Sequence, residues 1–392
     1  MHATRDAARR ELLHTHHPAR RTGASIAALL LTACAAETLP GQTQTSQHHD
    51  FRYVNVVEGL EHPWGMAFLP DGDILITERP GRLRIVRDGT LDRRPIAGVP
   101  PVYARGQGGL LDVAVHPDFA SNRFVYLSFS RPGEDGTATT AVIRGRLEGS
   151  ALTNVEEIIE ARAWRNAGQH FGSRFAFDRD GYLYISIGER GEMQAAQDLS
   201  NHQGTVLRLH DDGRVPADNP FVGQAGALPE IFTYGNRSPQ GLTVHPETGE
   251  LWETEHGPRG GDEINVLRAG ANYGWPVITY GINYNGSPIT DIQSKEGMEQ
   301  PLNYWVPSIA TSGIAIYSGD KFPNWQGDVF VGGLAGQHLA RIRFDENRRK
   351  VEEEKLLEGI GRVRDVRSGP DGYIYLLIDE ADAPLIRLEP AG

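Results

Sequence analysis

Residues 64–78 have the sequence WGMAFLPDGDILITE, in which two β-rich runs flank a turn that contains Asp71 and Gly72. Asp and Gly readily adopt the backbone conformations that reverse a chain between two strands. A later stretch, residues 173–189 (SRFAFDRDGYLYISIGE), repeats the theme around Asp180 and Gly181. Its apolar residues follow the period of two that is typical of a sheet face. Both stretches are therefore predicted to be β-hairpins.

The same theme recurs along the chain. The other copies are residues 110–130 (LLDVAVHPDFASNRFVYLSFS), 241–255 (GLTVHPETGELWETE), 313–333 (GIAIYSGDKFPNWQGDVFVGG, a looser version) and 363–379 (VRDVRSGPDGYIYLLID). Copies at intervals of roughly 45–75 residues are typical of a radial repeat built from four-stranded blades. The sequence thus predicts an all-β, six-bladed β-propeller of four-stranded antiparallel blades. A β-sandwich or a pair of β domains would explain the spacing less well.

A propeller must close on itself, and the two ends of the repeat region suggest how. Residues 51–57 (FRYVNVV) are strand-like and could join the last blade, residues 374–388, so that the propeller domain covers residues 51–392. The longest insertions, around residues 191–235 and 270–310, are then expected to be loops at one mouth of the channel. Long loops on a rigid scaffold often carry function, so the site is expected there.

Composition restricts the class of protein. The 392 residues are 39% hydrophobic and 23% charged, which suits a soluble globular protein with a sizeable core. The formal net charge of −12 argues against a nucleic-acid partner, because binding to a phosphate backbone requires clustered Lys and Arg. The chain has a single cysteine, Cys34, so no intramolecular disulfide can form.

The N-terminus has the features of a targeting segment. Residues 1–25 are polar and basic, and residues 25–34 (SIAALLLTAC) form an apolar run that is too short to span a bilayer. LTAC at residues 31–34 resembles a bacterial lipobox; a plain signal peptide cleaved near Ala33 or Ala36 is the alternative. We therefore expect a signal peptide over residues 1–34, a polar tether over residues 35–50 and a periplasmic protein whose only membrane contact is a lipid on Cys34.

The candidate site is centred on residues 256–265 (HGPRGGDEIN), followed by residues 272–276 (NYGWP). A Gly-Pro turn directs backbone carbonyls outward, and carbonyl and carboxylate oxygens are the ligands that Ca²⁺ prefers. The stretch is therefore a candidate calcium loop. The alternative is a tight turn followed by a strand or helix that the acidic residues cap.

These two motifs resemble the soluble pyrroloquinoline-quinone (PQQ) sugar dehydrogenases, and specifically their aldose sugar dehydrogenase branch. Other motifs in the same order extend the resemblance from about residue 64 to residue 379. The resemblance implies an enzyme that uses PQQ and Ca²⁺ to oxidise aldose sugars at C1 to lactones. We expect a monomer, although the sequence does not reveal whether the protein pairs with itself. It identifies neither the particular sugar nor the electron acceptor.

The resemblance also implies three catalytic residues. His170, in GQHFGSR at residues 168–174, falls at the position of the general base that takes the C1 hydroxyl proton while hydride passes to the quinone. Histidine suits this task because its pKa lies near 7. Glu189 falls where the family has an acidic partner of that histidine. Arg237, in YGNRSPQG at residues 234–241, matches an arginine that binds the quinone and stabilises the charge developing on it.

Further matches imply a cradle for the cofactor, a planar tricarboxylate for which arginine is well suited. Gln107, Arg362 and Arg364 match cofactor-binding positions. Two positions depart from the family pattern: Ser238 replaces a frequent asparagine, and Ala335 stands where the branch tends to carry a lysine that contacts the quinone. Loss of that cation would weaken PQQ binding or change its redox potential.

Calcium has two implied roles. The backbone carbonyls of Gly257 and Pro258 would join PQQ oxygens around one ion that polarises the quinone carbonyl. Glu263 and Tyr273 match a second, structural site that holds the loop in place.

Two aromatic residues, Tyr284 and Trp305, are expected to be walls of the pocket, the first against the cofactor and the second against the sugar. Aromatic faces suit a flat cofactor and the C–H groups of a sugar, although core packing would also explain Trp305.

Two other functions remain compatible with a propeller. A calcium-dependent hydrolase of the lactonase type would need several convergent acidic or asparagine ligands in the channel, where arginines are expected instead. A binding module without enzymatic activity would retain no cofactor, and the residues at positions 238 and 335 lend it some support. The resemblance favours the PQQ-dependent dehydrogenase.

Overall fold

The computed structural model describes residues 40–391, whose regular structure is almost entirely β-strand. In chain order the strands are β1 (Gln44–Thr45), β2 (Asp50–Leu60), β3 (Pro63–Phe68), β4 (Ile74–Glu78), β5 (Arg82–Arg87), β6 (Thr90–Leu91), β7 (Leu110–Val115), β8 (Phe124–Pro132), β9 (Ala138–Glu148), β10 (Ala151–Glu160), β11 (Gly172–Phe177), β12 (Leu183–Ile187), β13 (Thr205–Leu209), β14 (Ile231–Tyr234), β15 (Pro239–Val244), β16 (Leu251–Glu255), β17 (Asp262–Leu267), β18 (Asn303–Trp305), β19 (Thr311–Ile316), β20 (Val329–Gly333), β21 (His338–Phe344), β22 (Lys350–Leu356), β23 (Val363–Ser368), β24 (Ile374–Ile378) and β25 (Ala383–Pro390). The helix α1 (Phe119–Asn122) is a single turn, and 3₁₀ turns occur at Glu134–Gly136, Met193–Gln197 and Pro323–Trp325. No helix in residues 40–391 has the length and apolar character needed to cross a membrane.

Within these residues the strands form six antiparallel sheets arranged as blades. The strand orders are β3-β4-β5-β6, β7-β8-β9-β10, β11-β12-β13-β14, β15-β16-β17-β18, β19-β20-β21-β22 and β1-β2-β25-β24-β23. The innermost strands β3, β7, β11, β15, β19 and β23 contact one another in succession, and β23 contacts β3, which closes the ring. The predicted six-bladed β-propeller is therefore confirmed, with β1 added to the edge of the last blade.

The ring closes through pairing of the two ends of the propeller. Strand β2 lies antiparallel to β25, with Tyr53 opposite Leu388 and Asn55 opposite Ile386. The N-terminal strand thus completes a blade whose other main strands come from the C-terminus, as residues 51–57 suggested.

The segment before β2 is also packed on the blades. The Gln47 backbone N–H donates to Glu354 Oε1 at 2.8 Å, and His48 Nε2 lies 2.9 Å from Glu352 Oε2. The ring of His49 meets that of Trp325 edge to face, with centroids 5.2 Å apart. For residues 40–50, the expectation of a polar tether is therefore corrected: specific polar and aromatic contacts hold this part against the outer strand of the fifth blade. The predicted signal peptide, Cys34 and residues 35–39 lie outside the described residues.

The insertion expected over residues 191–235 is divided by two strands. Residues 205–209 and 231–234 form β13 and β14 and complete the third blade. The second insertion, expected over residues 270–310, contains the short strand β18, and the part before β18 is a long connection from β17. This connection returns to the third blade, where the Tyr273 and Trp275 backbone N–H groups donate to Tyr234 and Gly235 oxygens at 2.8 Å. That connection covers the segment that leads to Arg237.

Apolar side chains fill the interfaces between adjacent blades. The second strands β4, β12 and β24 are buried at every residue, so their sequences ILITE, LYISI and IYLLI are apolar almost throughout. This explains why the alternation expected from the sequence is weak there, since a strand covered on both faces needs no polar face. Across the interface of the fifth and sixth blades, Trp325 packs against Phe51 with ring centroids 5.6 Å apart.

A buried ionic network links the inner strands of three blades. Arg174 Nη1 on β11 lies 2.9 Å from Asp365 Oδ1 on β23 and 3.3 Å from Asp112 Oδ1 on β7. Arg367 Nη2 lies 3.2 Å from Asp112 Oδ1. Buried charges persist only when paired and hydrogen-bonded, as these are, so the network fixes the relative positions of these strands.

Candidate active site

Antiparallel pairing brings three chain segments to one edge of the blades. His170 lies just before the inner strand β11, Arg237 lies just before the inner strand β15, and residues 256–261 connect β16 to β17. In an antiparallel blade the start of the inner strand and the connection from the second to the third strand lie at the same edge. These segments therefore meet at one end of the ring, called the channel mouth below.

At the channel mouth the structure brings His170 and Glu189 together. His170 Nδ1 lies 2.5 Å from Glu189 Oε1, and both side chains are buried. The His170 backbone N–H donates to Gln107 Oε1 at 2.7 Å. A carboxylate at Nδ1 favours the tautomer that carries its proton there, which leaves Nε2 as the nitrogen able to accept a proton.

The surroundings of His170 keep its imidazole neutral near pH 7. Burial lowers the pKa of His170 below 6.5, and the positive charges of Arg237 and Arg190 act in the same direction. The hydrogen bond to Glu189 opposes this effect only in part. A neutral, oriented imidazole is the form that a general base requires.

Arg237 is buried beside the loop of residues 256–261. Its Nη1 donates to the carbonyl oxygens of His256 at 2.9 Å and Gly257 at 3.0 Å, and its guanidinium lies 5.3 Å from the Trp275 ring centroid. Its backbone N–H donates to Glu255 Oε2 at 2.5 Å. Arg237 is therefore fixed in place as a buried positive charge that also contacts a predicted calcium ligand, the Gly257 carbonyl.

Arg364 is part of a second cationic cluster at the channel mouth. Its Nη2 lies 2.8 Å from Asp379 Oδ2, and its Nη1 donates to Gln240 Oε1 at 3.1 Å. His62 Nδ1 lies 2.9 Å from Asp379 Oδ1, and Arg79 Nη2 lies 3.7 Å from the same oxygen. Arg364 was predicted from the sequence, whereas the other residues of this cluster were not.

The sequence contained a signal for these missed residues. In four of the six repeats quoted above, the last residue of the hairpin sequence is acidic and stands at or just after the end of the second strand. These residues are Glu78, Glu189, Glu255 and Asp379. Since the ends of the second strands meet at the channel mouth, comparing equivalent positions across the repeats would have pointed to Asp379 and its cationic partners.

Several buried nitrogens at the channel mouth have no hydrogen-bond partner within the described residues. They are Arg79 Nε, Arg237 Nε, Arg364 Nε and His256 Nε2. Leaving a buried polar group unpaired costs about 1–3 kcal/mol. Burial and the nearby charges of Arg237 and Arg364 lower the pKa of His256 well below 6.5. The channel mouth therefore favours an anionic ligand with several acceptor oxygens.

Beside Arg237 lies a group of carboxylates around one amide. Asn265 Nδ2 donates to Glu253 Oε2 at 3.1 Å, Glu263 Oε2 at 3.2 Å and Glu255 Oε1 at 3.5 Å. Burial raises the pKa of Glu255 to about 7, and burial together with the charge of Glu255 raises those of Glu253 and Glu263 well above 4.5. Glu253 Oε1 and Asn265 Oδ1 are buried acceptors without a partner in residues 40–391. The cluster is rich in oxygens that could be satisfied by a hard cation.

Three of the four predicted calcium residues, Gly257, Glu263 and Tyr273, line a small cavity next to these carboxylates. The cavity is bounded by Arg237, Glu255, His256, Gly257, Glu263 and Tyr273. The Tyr273 hydroxyl donates to the Val266 carbonyl at 2.6 Å and accepts from the Arg268 N–H at 3.0 Å, so the phenol is used structurally. Pro258 is buried in the same loop. In the described part of the chain no group of three or more His, Cys, Asp or Glu side chains is arranged to hold a metal ion, so any ion here would need backbone oxygens as well.

Three of the predicted cofactor residues differ in exposure. Ser238 is buried, and its hydroxyl lies 3.4 Å from Gln240 Nε2. Ala335 is exposed in the turn between β20 and β21, held by its N–H bond to the Ile309 carbonyl at 2.9 Å. Arg362 is exposed and donates to the neighbouring Leu334 carbonyl at 3.4 Å. The structure thus brings positions 335 and 362 together at the channel mouth and turns Ser238 inward.

The two aromatic residues expected to line the pocket have different surroundings. Trp305 is buried in a hydrophobic cluster with Trp252 and Ile264, and its indole N–H donates to Glu353 Oε1 at 2.6 Å. The expectation that Trp305 contacts substrate is therefore corrected, because its strand directs the ring into the interface of the fourth and fifth blades. Tyr284 is 70% exposed, and its contact with the cofactor stays a prediction.

Comparisons with known proteins agree with this architecture. A family model described as Glucose / Sorbosone dehydrogenase matches residues 60–387. The aldose sugar dehydrogenase YliI of Escherichia coli (strain K12) is 47% identical over 338 residues, which cover 84% of this chain and 91% of that protein.

Solved structures show the same relationship. A crystal structure of glucose dehydrogenase has a TM-score of 0.83 at 51% identity and covers 86% of this chain and 98% of its own. The PQQ-bound form of aldose sugar dehydrogenase from Streptomyces coelicolor has a TM-score of 0.73 at 28% identity, with coverage of 86% and 96%. Since the family match extends from residue 60 to residue 387 and the identity to the Escherichia coli protein extends over most of both chains, this protein belongs to the glucose/sorbosone dehydrogenase family and is a sugar oxidoreductase.

Proposed function

We propose that the protein oxidises aldose sugars at C1 to lactones and depends on PQQ and Ca²⁺ for this reaction. The observation that carries the proposal is the buried His170–Glu189 pair, 2.5 Å apart, beside the fixed positive charge of Arg237. A base and a cation held side by side are what is needed to remove a hydroxyl proton and to stabilise negative charge nearby.

The channel mouth fits PQQ chemically. PQQ carries three carboxylates, and the buried unpartnered donors of Arg79, Arg237 and Arg364 would hold such an anion, with Gln107 and Arg362 at the rim. When bound, PQQ supplies an oxidised quinone that accepts the hydride from C1. The PQQ-bound relative from Streptomyces coelicolor supports this choice of cofactor.

The residues of the chain handle the proton. Nε2 of His170 takes up the proton of the C1 hydroxyl, while Nδ1–H remains hydrogen-bonded to Glu189. The carboxylate stabilises the imidazolium that forms, and the Gln107 hydrogen bond to the His170 backbone holds the ring in position. C1 loses a hydride and its hydroxyl loses a proton, so the sugar is oxidised by two electrons.

Ca²⁺ would bind on the oxygen-rich side of Arg237. The donors that the chain offers are the carbonyls of Gly257 and Pro258 and the carboxylate of Glu263, with Glu253 Oε1 and Asn265 Oδ1 as unpartnered acceptors nearby. Hard oxygen ligands of this kind suit Ca²⁺. We expect the ion to hold the loop of residues 256–265 against the site and to make cofactor binding depend on Ca²⁺.

We also propose that the protein is periplasmic and is anchored by a lipid on Cys34. The motif LTAC at residues 31–34, after an apolar run, supports this. Cell fractionation tests it: Cys34→Ser is expected to move the protein from the membrane fraction to the soluble periplasm. Equal fractionation of both forms would contradict the anchor.

The enzymatic proposal is tested by reconstitution. Purified protein is loaded with PQQ with and without Ca²⁺, and reduction of an artificial dye is followed with a panel of aldoses. Turnover should require both additions and should be lost in His170→Ala but retained in His245→Ala, which changes a histidine in a turn at the opposite edge of the blade. Absence of turnover with every aldose would contradict the dehydrogenase, and absence of PQQ binding would favour a binding module.

A further inference from the structure

The loop that carries His170 has an unfavourable backbone conformation. His170 and Ser173 have φ values of 54° and 85°, in the left-handed region that non-glycine residues rarely adopt. The loop also packs closely against Gly188, which directly follows the second strand β12 of the same blade. A Cβ on Gly188 would lie 2.2 Å from the His170 carbonyl oxygen. Such a conformation persists only when the surroundings hold it in place.

Arg190 makes the contacts that hold this loop. Its Nη2 donates to the carbonyl of Ala167 at 2.6 Å and to that of Ala138 at 3.3 Å, and its Nη1 donates to the carbonyl of Gln169. Its guanidinium carbon lies 3.5 Å from the ring centroid of Phe171. The contacts therefore lie on both sides of His170, at positions 167, 169 and 171.

Arg190 is also completely buried and carries charge at neutral pH. It is 0% exposed, and burial lowers its pKa only to about 10. A planar guanidinium can donate in two directions while stacking on an aromatic ring, which a lysine ammonium cannot do. The side chain is thus suited to fixing several backbone carbonyls at once.

We propose that Arg190 is a positioning residue for His170: it clamps residues 167–171 so that the imidazole stays aligned with Glu189 and directed to the channel mouth. The effect of Arg190 on turnover rests on the proposed function, whereas its effect on the geometry of the loop does not. Arg190 follows Glu189 directly, so one strand end supplies both the carboxylate partner of the histidine and the clamp of its loop.

The charge of Arg190 adds a second effect at the same place. The charged and titratable groups around His170 are Glu189, Arg237, Arg190 and His256. Glu189 raises the pKa of His170, whereas burial, Arg237 and Arg190 lower it. Removing the positive charge at position 190 should therefore raise the pKa of His170, and keeping a positive charge there should leave it nearly unchanged.

The test compares Arg190→Met and Arg190→Lys with a matched control, Arg144→Met. Arg144 is also buried, lies 4.3 Å from the Phe124 ring centroid and donates to the Asp211 carbonyl. It belongs to the second blade, where it pairs with Tyr126 near the start of β8, at the edge opposite the channel mouth. Two readouts are used: the pH titration of the His170 ring by NMR in protein without cofactor, and the pH dependence of kcat and KM in protein loaded with PQQ and Ca²⁺.

Both Arg190 variants are expected to lower kcat by about 100-fold with little change in KM, the usual effect of misplacing a catalytic group by about 1 Å. Arg190→Met should also shift the His170 titration and the acid limb of kcat/KM to higher pH, and Arg190→Lys should not. If Arg190→Met fails to fold, Arg190→Lys still tests the positioning role. An Arg190→Lys variant with the kcat and the His170 NMR shifts of the wild type would overturn the proposal. A loss of kcat in Arg144→Met equal to that in the Arg190 variants would also overturn it.

The two proposals can fail separately. If the wild-type protein oxidises no sugar, the proposed function fails, but the NMR comparison still measures the effect of Arg190 on His170. If sugars are oxidised and neither Arg190 variant alters kcat or the His170 titration, only the positioning role is contradicted.

Discussion

Replacing Glu189 by glutamine removes a negative charge from the His170–Glu189 pair and leaves the size of the side chain almost unchanged. Glu189 Oε1 lies 2.5 Å from His170 Nδ1, while its Oε2 is buried without a partner in residues 40–391. Because nothing holds Oε2, the new amide can rotate so that its oxygen still accepts from Nδ1–H. The substitution should therefore preserve the tautomer and remove mainly the stabilisation of the imidazolium.

The magnitude follows from the charge that the hydrogen bond loses. A hydrogen bond to a charged group contributes about 1.5–3 kcal/mol, and one between neutral groups about 0.5–1.5 kcal/mol. The substitution should therefore cost about 1–1.5 kcal/mol in the transition state and lower kcat by about 5- to 10-fold, since each 1.36 kcal/mol is about tenfold in rate. Glu189 raises the pKa of His170, so its loss lowers that pKa further and moves the acid limb of the pH profile to lower pH.

The assay is dye-linked aldose oxidation by the loaded enzyme between pH 4.5 and 8, a range of about two units around the ordinary histidine pKa. Glu192→Gln is the matched control, because Glu192 is three residues further on and forms only a half-exposed ion pair with Arg165. Glu189→Gln with wild-type kcat, or with an acid limb that moves to higher pH, would refute the role of Glu189 as the carboxylate partner of the base.

Three further substitutions test other parts of the structure. Gly188→Ala should reduce kcat at least as strongly as Glu189→Gln, since its Cβ would lie 2.2 Å from the His170 carbonyl oxygen; steady-state kinetics check this, and wild-type kcat would contradict the close approach. Asp379→Asn should reduce the free energy of unfolding by about 3–5 kcal/mol, because it leaves the buried guanidinium of Arg364 unpaired. Although burial opposes the shift, Arg364 holds the pKa of Asp379 below 3.8, so this stabilisation is present above pH 3.8 and should be lost as the pH falls further. Urea denaturation of both proteins at several pH values measures the loss, and a difference in unfolding free energy between wild type and variant that grows in acid would contradict it. Trp325→Ala should cost about 3–5 kcal/mol by the same method, since the ring is completely buried between two blades, and a cost below about 1 kcal/mol would contradict its packing role.

The fold was predictable because its repeat is local. A turn such as that at Asp71 and Gly72 indicates each hairpin, and the number of hairpins gives the number of blades. The closing strand was also visible, since residues 51–57 had no partner among the repeats. The docking of residues 40–50 was not, because it depends on contacts of His48 and His49 with residues about 275–304 positions away that leave no periodic pattern.

The role of a site residue was predictable where the residue belongs to a motif. It was not predictable where the role depends on the direction of the side chain. His170, Glu189 and Arg237 stand in recognisable motifs, and the structure brings them together. Trp305 also stands near a motif, but the pairing of β18 with β17 turns its ring into the core. Arg190 was missed because its importance arises from three backbone carbonyls, which the sequence cannot reveal.

Absorption spectroscopy of the protein during binding of PQQ and subsequent addition of a sugar shows whether the protein is a PQQ-dependent dehydrogenase. Protein without cofactor is titrated with PQQ in the presence and absence of Ca²⁺, and one aldose is then added under anaerobic conditions without dye. We expect saturable binding of PQQ that is strengthened by Ca²⁺, followed by conversion of the bound cofactor to its reduced spectrum in the wild-type protein but not in His170→Ala. No binding, or a spectrum that stays unchanged in the wild-type protein with every aldose, would contradict it.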